Sequence, residues 1–284
     1  PPPPPPPPRH GVRRQRQMCI RDSARPIPSV TRWLSISTRN KLAPAATALR
    51  FAALLTGFML APVIAVLLVP LPAPLGFYWD LANGMGYLSL ALCLLLFIYA
   101  GRARRFPPYS GRFFANLHRD LGYIALATAV AHAGLLLYRE PLLLEHLKPT
   151  APLHMLAGTL GLVLMTLLVG SSLPRLRRRL WSDYHRFRHL HAVVSVCVVA
   201  LSLYHVIQSG YYLNREWKLG LLLLVVAFIL IAYGVRQHGA VAGGVDRTRN
   251  SARYSHLISY GALLLALALV AALAAIPALL GDAA

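Results

Sequence analysis

Acidic residues are scarce in this sequence, and so is charge in general. Nine Asp and Glu stand against 29 Lys and Arg, and charged residues make up 13% of the chain. A soluble domain carries about 25%, so an ordinary water-exposed surface is excluded. Only three cysteines occur, Cys19, Cys93 and Cys197, with no Cys-x-x-Cys and no zinc spacing. A disulfide scaffold and a cysteine metal site are thereby excluded, and Cys93 and Cys197, within apolar stretches, read as small hydrophobes. No Gly-x-Gly-x-x-Gly element opens a helix after a strand, so no flavin or nicotinamide site is expected within this chain.

Apolar residues are abundant instead. They form 56% of the 284 residues, with a mean hydropathy of +0.53. They come in blocks near the length of about 20 residues that crosses a hydrocarbon core. Seven such blocks run over approximately 47–70, 84–101, 117–138, 153–173, 189–208, 218–235 and 257–280. Each must be helical, because lipid offers backbone N–H and C=O groups no partners. The expectation is an all-α integral membrane bundle of about seven transmembrane helices, a six-helix core plus one C-terminal helix. Residues 1–45, opening with Pro1 to Pro8 and continuing through scattered arginines, read as a disordered basic leader outside the fold. Residues 46–236 read as the functional membrane domain. Residues 237–284 read as a cytoplasmic loop followed by the additional C-terminal helix.

The net charge of +20 does not point to nucleic acid, because the basic residues sit in loops between apolar blocks. Ten Lys and Arg precede and include Arg50, five lie in 102–119, six in 174–188 and four in 236–253. The alternate loops hold none, two and two. The positive-inside rule then places the N-terminus in the cytoplasm and the C-terminus outside, in a plasma (bacterial inner) membrane. Phe77, Tyr78, Trp79, Tyr211, Tyr212 and Trp217 fall where an outer aromatic belt is expected.

Ionisable groups inside a membrane are functional candidates. The third span carries His118 and His132, and the fifth carries His191 and His205. Both separations are 14 residues, a rise of roughly 21 Å that returns to within about 40° of the starting azimuth. Each pair therefore occupies one helix face, with its members near opposite sides of the membrane. Spans three and five run parallel, so His118 meets His191 toward the cytoplasm and His132 meets His205 toward the outside. Two imidazoles per site suit the six-coordinate iron of an electron-transfer haem, whereas zinc wants four ligands in one place. His185 and His189 read as interfacial, and His146, His154, His238 and His256 as ordinary bundle residues. Gly122, one turn after His118, suits either close approach of a porphyrin or helix packing. Gly158 and Gly161 read as packing. Arg112, Arg119 and Arg188 lie near enough in sequence to hold haem propionates, or serve topology alone. No internal repeat is evident beyond the matched histidine spacing.

The stretch Leu117-His118-Arg119-Asp120-Leu121-Gly122 followed by His132 resembles the third-span motif of the ferric reductase-like transmembrane domain. The arginine-rich loop ending in Trp181, Tyr184, Phe187 and His191, with His205 beyond, is similar as well. That superfamily includes ferric reductases, NADPH oxidases and the haem subunit of a methionine sulfoxide reductase system, and the resemblance covers roughly residues 50–235. It implies two b haems between the third and fifth spans, ligated by His118, His132, His191 and His205, with Arg119 and Gly122 in the motif. Electrons would cross from a separate flavoprotein or quinol donor to a periplasmic or extracellular acceptor. A quinol- or ascorbate-oxidising cytochrome, or a proton-coupled transporter using the histidines as relays, is the alternative.

Overall fold

The computed structural model describes Pro1 and residues 30–67, 76–100, 109–238 and 251–281. The expectations placed on residues 2–29, on Arg102, Arg104, Arg105, Arg247 and Arg249, and on the side chains of Arg236, His238 and Arg253 lie outside the described residues, whereas residues 30–45, expected in a disordered leader, form the first part of a helix. The chain divides into two units, Pro1–Ala46 and Thr47–Ala284. Among the described residues there are helices and no strands: α1 (Val30–Leu67), α2 (Phe77–Ile98), α3 (Gly111–Arg139), α4 (Leu153–Ser172), α5 (Pro174–Leu180), α6 (Tyr184–Ser209), α7 (Glu216–His238) and α8 (Ser251–Gly281). A 3-10 helix, Pro141–Leu147, joins α3 to α4. All but α5 contain a stretch long and apolar enough to cross a membrane. The protein is an all-α membrane bundle with seven candidate spans.

Local chemistry sets the ends. The Ser110 side chain accepts from the backbone N–H of Phe113 to start α3, and Asp183 does the same for His185 at the head of α6. Gly210, at φ 62°, stops α6 in the left-handed conformation that glycine tolerates best. Four helices, α2, α3, α6 and α8, begin five to seven residues before their apolar blocks, because polar and aromatic first turns carry the helix out of the hydrocarbon. The arginine-rich loop also holds structure that hydropathy does not report. Pro174 opens the two-turn helix α5, in which Leu176 and Leu180 stand four apart.

The bundle is unevenly packed. α2 is the most buried span and α6 the most exposed. Phe51, Leu55, Met59 and Val63 present one buried stripe of α1, at the four-residue repeat of a helix face. They join Leu88 and Leu92 of α2, Phe113, Leu117 and Leu121 of α3, and Ala262, Ala266 and Val270 of α8 in one core. At its arginine-rich end that core is an aromatic nest: Phe51 meets Tyr99 and Phe113 edge-on, and Tyr99 stacks on Phe114. The remaining close helix pairs are α4 with α6, α2 with α7, and α3 with α4.

Two buried carboxylates hold the frame. Asp120 of α3 pairs with His256 Nδ1 of α8 at 2.6 Å and with Arg119 at 3.8 Å, which ties the seventh span to the helix carrying His118. At the other end, Tyr212 donates its hydroxyl to Asp80 Oδ1 at 2.7 Å, and Lys218 donates to the Tyr212 carbonyl at 3.0 Å. Burial and the Asp80 carboxylate push the Tyr212 phenol well above its usual range, so it remains a donor at neutral pH. The turn between α6 and α7 is thereby strapped to α2.

Two stability outcomes are expected. A Cβ on Gly84 would lie 2.6 Å from the stiff, branched Val270 side chain, whereas one on Gly57 meets nothing within 4 Å. Gly84→Ala should cost about 1–3 kcal/mol by overpacking and Gly57→Ala nothing, read as thermal unfolding in detergent. Tyr212→Phe strands a buried carboxylate and should cost about 1.5–3 kcal/mol, measured in the same way.

Candidate functional site

The four intramembrane histidines form two facing pairs, one near each end of α3 and α6. The His118 and His191 ring centres lie 6.1 Å apart with the planes tilted by 53°. His132 and His205 are close enough to interact electrostatically. Among the described residues α3 and α6 are not closely packed on each other; each leans on a neighbour instead, α3 on α2 and α6 on α4. The histidines thus face each other across a gap between two helix pairs.

Their hydrogen bonds determine which nitrogen carries the proton. His118 Nδ1 lies 2.9 Å from the Tyr99 carbonyl, His132 Nδ1 lies 2.8 Å from that of Ala82, and His205 Nδ1 lies 2.9 Å from that of His154. A carbonyl only accepts, so each Nδ1 must be the N–H. His191 Nδ1 lies 3.3 Å from Ser172 Oγ. The single Ser172 hydroxyl proton is already donated to Leu168 O at 2.7 Å, so this oxygen also accepts. All four rings therefore carry their proton on Nδ1, which leaves the lone pair on Nε2. An N–H donated from one nitrogen and a lone pair on the other is also the arrangement of a metal-ligating histidine.

The anchors follow a repeat that the sequence reading missed. His118 is 19 residues from Tyr99 and His191 is 19 from Ser172, while His132 is 50 from Ala82 and His205 is 51 from His154. The α2–α3 hairpin and the α4–α6 hairpin are two copies of one device, offset by 72–73 residues. Two glycines belong to it. A Cβ on Gly86 would lie 3.0 Å from His132 Nδ1, and one on Gly158 would lie 2.8 Å from His205 Nδ1. Gly158 does pack, as expected, but its neighbour is a site histidine. Gly86, Ser172 and the carbonyls of Tyr99, Ala82 and His154 carry no signal in a hydropathy profile, and only the offset of the two hairpins links them.

The surroundings match a flat apolar ligand better than a bare ion. Among the described residues no group of three or more His, Cys, Asp or Glu converges on a point, so each site offers two nitrogens. Two imidazoles facing each other across one metal ion, with nitrogen–metal distances of about 2 Å, put their ring centres roughly 6 Å apart, as at His118 and His191. A Cβ at Gly122 would meet nothing within 4 Å, which leaves room on α3 one turn after His118. Phe187 packs on the His191 ring at 5.5 Å, and Arg177 lies over Phe187 and Tyr184. Arg119 turns toward Asp120, while Arg112, Arg188, His185 and His189 are exposed. The His154 carbonyl serves His205, and His256 pairs with Asp120.

No curated protein and no solved structure gives a significant match to the chain. Residues 85–202 match the family described as ferric reductase like transmembrane component. That span includes His118, His132, His191, Gly86, Gly158 and Ser172, and stops three residues before His205. Membrane domains of this family serve transmembrane oxidoreductase roles and usually work with a separate redox partner. The segment 85–202, which carries His118, His132 and His191, is thus similar to a ferric reductase-like transmembrane component.

Proposed function

We propose that this protein is a transmembrane electron conduit that holds two b haems, one ligated by His118 and His191 and one by His132 and His205. The observation that carries this reading is the shared state of the four rings. Each is tied down through Nδ1, which leaves its lone pair on Nε2, and each has a second histidine near it on the other helix. Bound between two such nitrogens, a haem supplies reversible one-electron chemistry at an iron with no free coordination site. The chain's own groups do the rest. The helix carbonyls orient the imidazoles and favour their ligand tautomer. The apolar spans keep water from the irons, and the guanidinium groups near the arginine-rich end suit propionate carboxylates.

The alternation of basic loops supports an orientation with the arginine-rich end in the cytoplasm of a plasma membrane, so that electrons enter at His118/His191 and leave beyond His132/His205. A groove of about 380 Å³, walled by Leu167, Leu180, Trp181, Phe187 and His191, gives a flavoprotein or quinol donor an approach to the inner pair. The acceptor would be a ferric chelate, oxygen or a redox protein outside. A proton-relay role for the histidines is disfavoured, since three of the four Nδ1–H groups are donated to backbone carbonyls, which do not pass a proton on.

The test is a dithionite-reduced minus oxidised visible spectrum of the purified full-length protein, with haem quantified as its pyridine complex. Two b haems per chain are expected, falling to about one in His132→Ala and in His191→Ala, with the remaining haem still reducible, because each site needs both of its ligands. A folded, colourless wild-type protein would sink the proposal.

A further inference from the structure

The carbonyl that anchors the outer histidine of each hairpin has the same companion four residues on. The His132 ring donates to the carbonyl of Ala82, and the residue four positions on is Gly86. The His205 ring donates to the carbonyl of His154, and the residue four positions on is Gly158. In an α-helix the N–H of residue i+4 sits directly over the carbonyl of residue i. The Cβ of residue i+4 tilts back toward the helix N-terminus, and so toward that carbonyl. Any side chain at i+4 therefore crowds a ring that approaches the carbonyl from that side. Both glycines face their histidine at a distance no Cβ could occupy without displacement, 3.0 Å to His132 Nδ1 and 2.8 Å to His205 Nδ1. Gly84 is also crowded, but by Val270, whereas Gly57, Gly170 and Gly220 have open space where a Cβ would be, so closeness to an imidazole is peculiar to these two among the glycines described.

We infer that Gly86 and Gly158 are paired notches that let the two outer histidines reach a helix carbonyl already engaged in the backbone ladder, and that they set the orientation of the outer iron site alone. They are positioning residues, since neither touches the reacting atoms. The inner site uses different anchors, namely Tyr99 O just beyond the end of α2 and the Ser172 hydroxyl, and needs no notch. Tyr99 is the residue that caps α2. Ser172 reaches out with a side chain. The inner and outer sites therefore differ in what a single methyl group would do to them.

The inference rests on the haem reading for its functional meaning, though the notch itself can be tested without haem. Gly86→Ala and Gly158→Ala would be compared with Gly57→Ala and with wild type, using the full-length protein in detergent. Histidine-selective ¹⁵N labelling follows the Nδ1–H of each ring whether or not haem is present. Wild type should show protected Nδ1–H protons on His132 and His205. Gly158→Ala should abolish the His205 signal and Gly86→Ala should weaken that of His132, in each case leaving His118 unchanged. In haem-loaded protein both variants should lose or alter one of two low-spin bis-histidine signatures by electron paramagnetic resonance. The other signature should match wild type, as should both in Gly57→Ala. Unchanged ring N–H signals in both variants would overturn the inference. So would loss of both haem sites together, which marks general destabilisation. A wild-type protein that is colourless but shows the expected ring N–H pattern would overturn the haem reading and leave the notch standing.

Discussion

Hydrocarbon supplies no hydrogen-bond partner, and the site geometry of this protein grows from that constraint. A neutral imidazole carries one N–H and one lone pair, and inside a bilayer both must find partners within the bundle. The N–H is satisfied by lending it to an acceptor on the next helix: three main-chain carbonyls and one serine hydroxyl. Once that bond is made, the tautomer is decided and the lone pair points elsewhere. The demand that buried polar groups be paired thus fixes the tautomer of all four rings as a by-product of folding.

The same demand explains the packing order. A histidine on α3 must lean on α2 to reach Tyr99 and Ala82, and one on α6 must lean on α4 to reach Ser172 and His154. The helices therefore associate closely as α2 with α3 and as α4 with α6. The ligand faces of α3 and α6 are left opposed across a gap. Glycines at the contact points allow the close approach; Thr128 and Ser202 bond back to their own helices, while the Ser89 hydroxyl of α2 crosses to the Ala125 carbonyl of α3. The remaining polar groups build struts rather than sites. Asp120 with His256 brings in α8, and Asp80 with Tyr212 and Lys218 closes the opposite end. The seventh span thereby acquires a structural role as a brace against the face of α2 and α3 that turns away from α6.

Hydropathy and charge were sufficient for the scaffold. Blocks of about 20 apolar residues determine seven helices because a bilayer permits nothing else. The 14-residue interval in two spans determines that His118 and His132 share one face, and likewise His191 and His205, since helical rise and rotation are properties of any α-helix. Helix starts were less legible, because Phe77, Gly111 and Tyr184 begin their helices in polar or aromatic turns that lie beyond the apolar blocks. The short helix α5 was hidden in the same way, its leucines scattered among arginines.

Other features became visible only when the helices were assembled. That His191 accepts no proton at Nδ1 follows from Ser172 spending its own on Leu168, a fact about three residues on two helices. The duplication of the α2–α3 hairpin in α4–α6 rests on anchors that are mostly backbone, and a carbonyl looks the same whatever residue carries it. Gly86 and Gly158 resemble any packing glycine in a membrane helix until the imidazole beside each is seen. The sequence by itself determined the number of spans and which residues could be ligands, because those depend on composition and helical period. Tertiary structure decided which nitrogen of each ring is free and which glycines make that possible, because those depend on which carbonyl a neighbouring helix brings within reach.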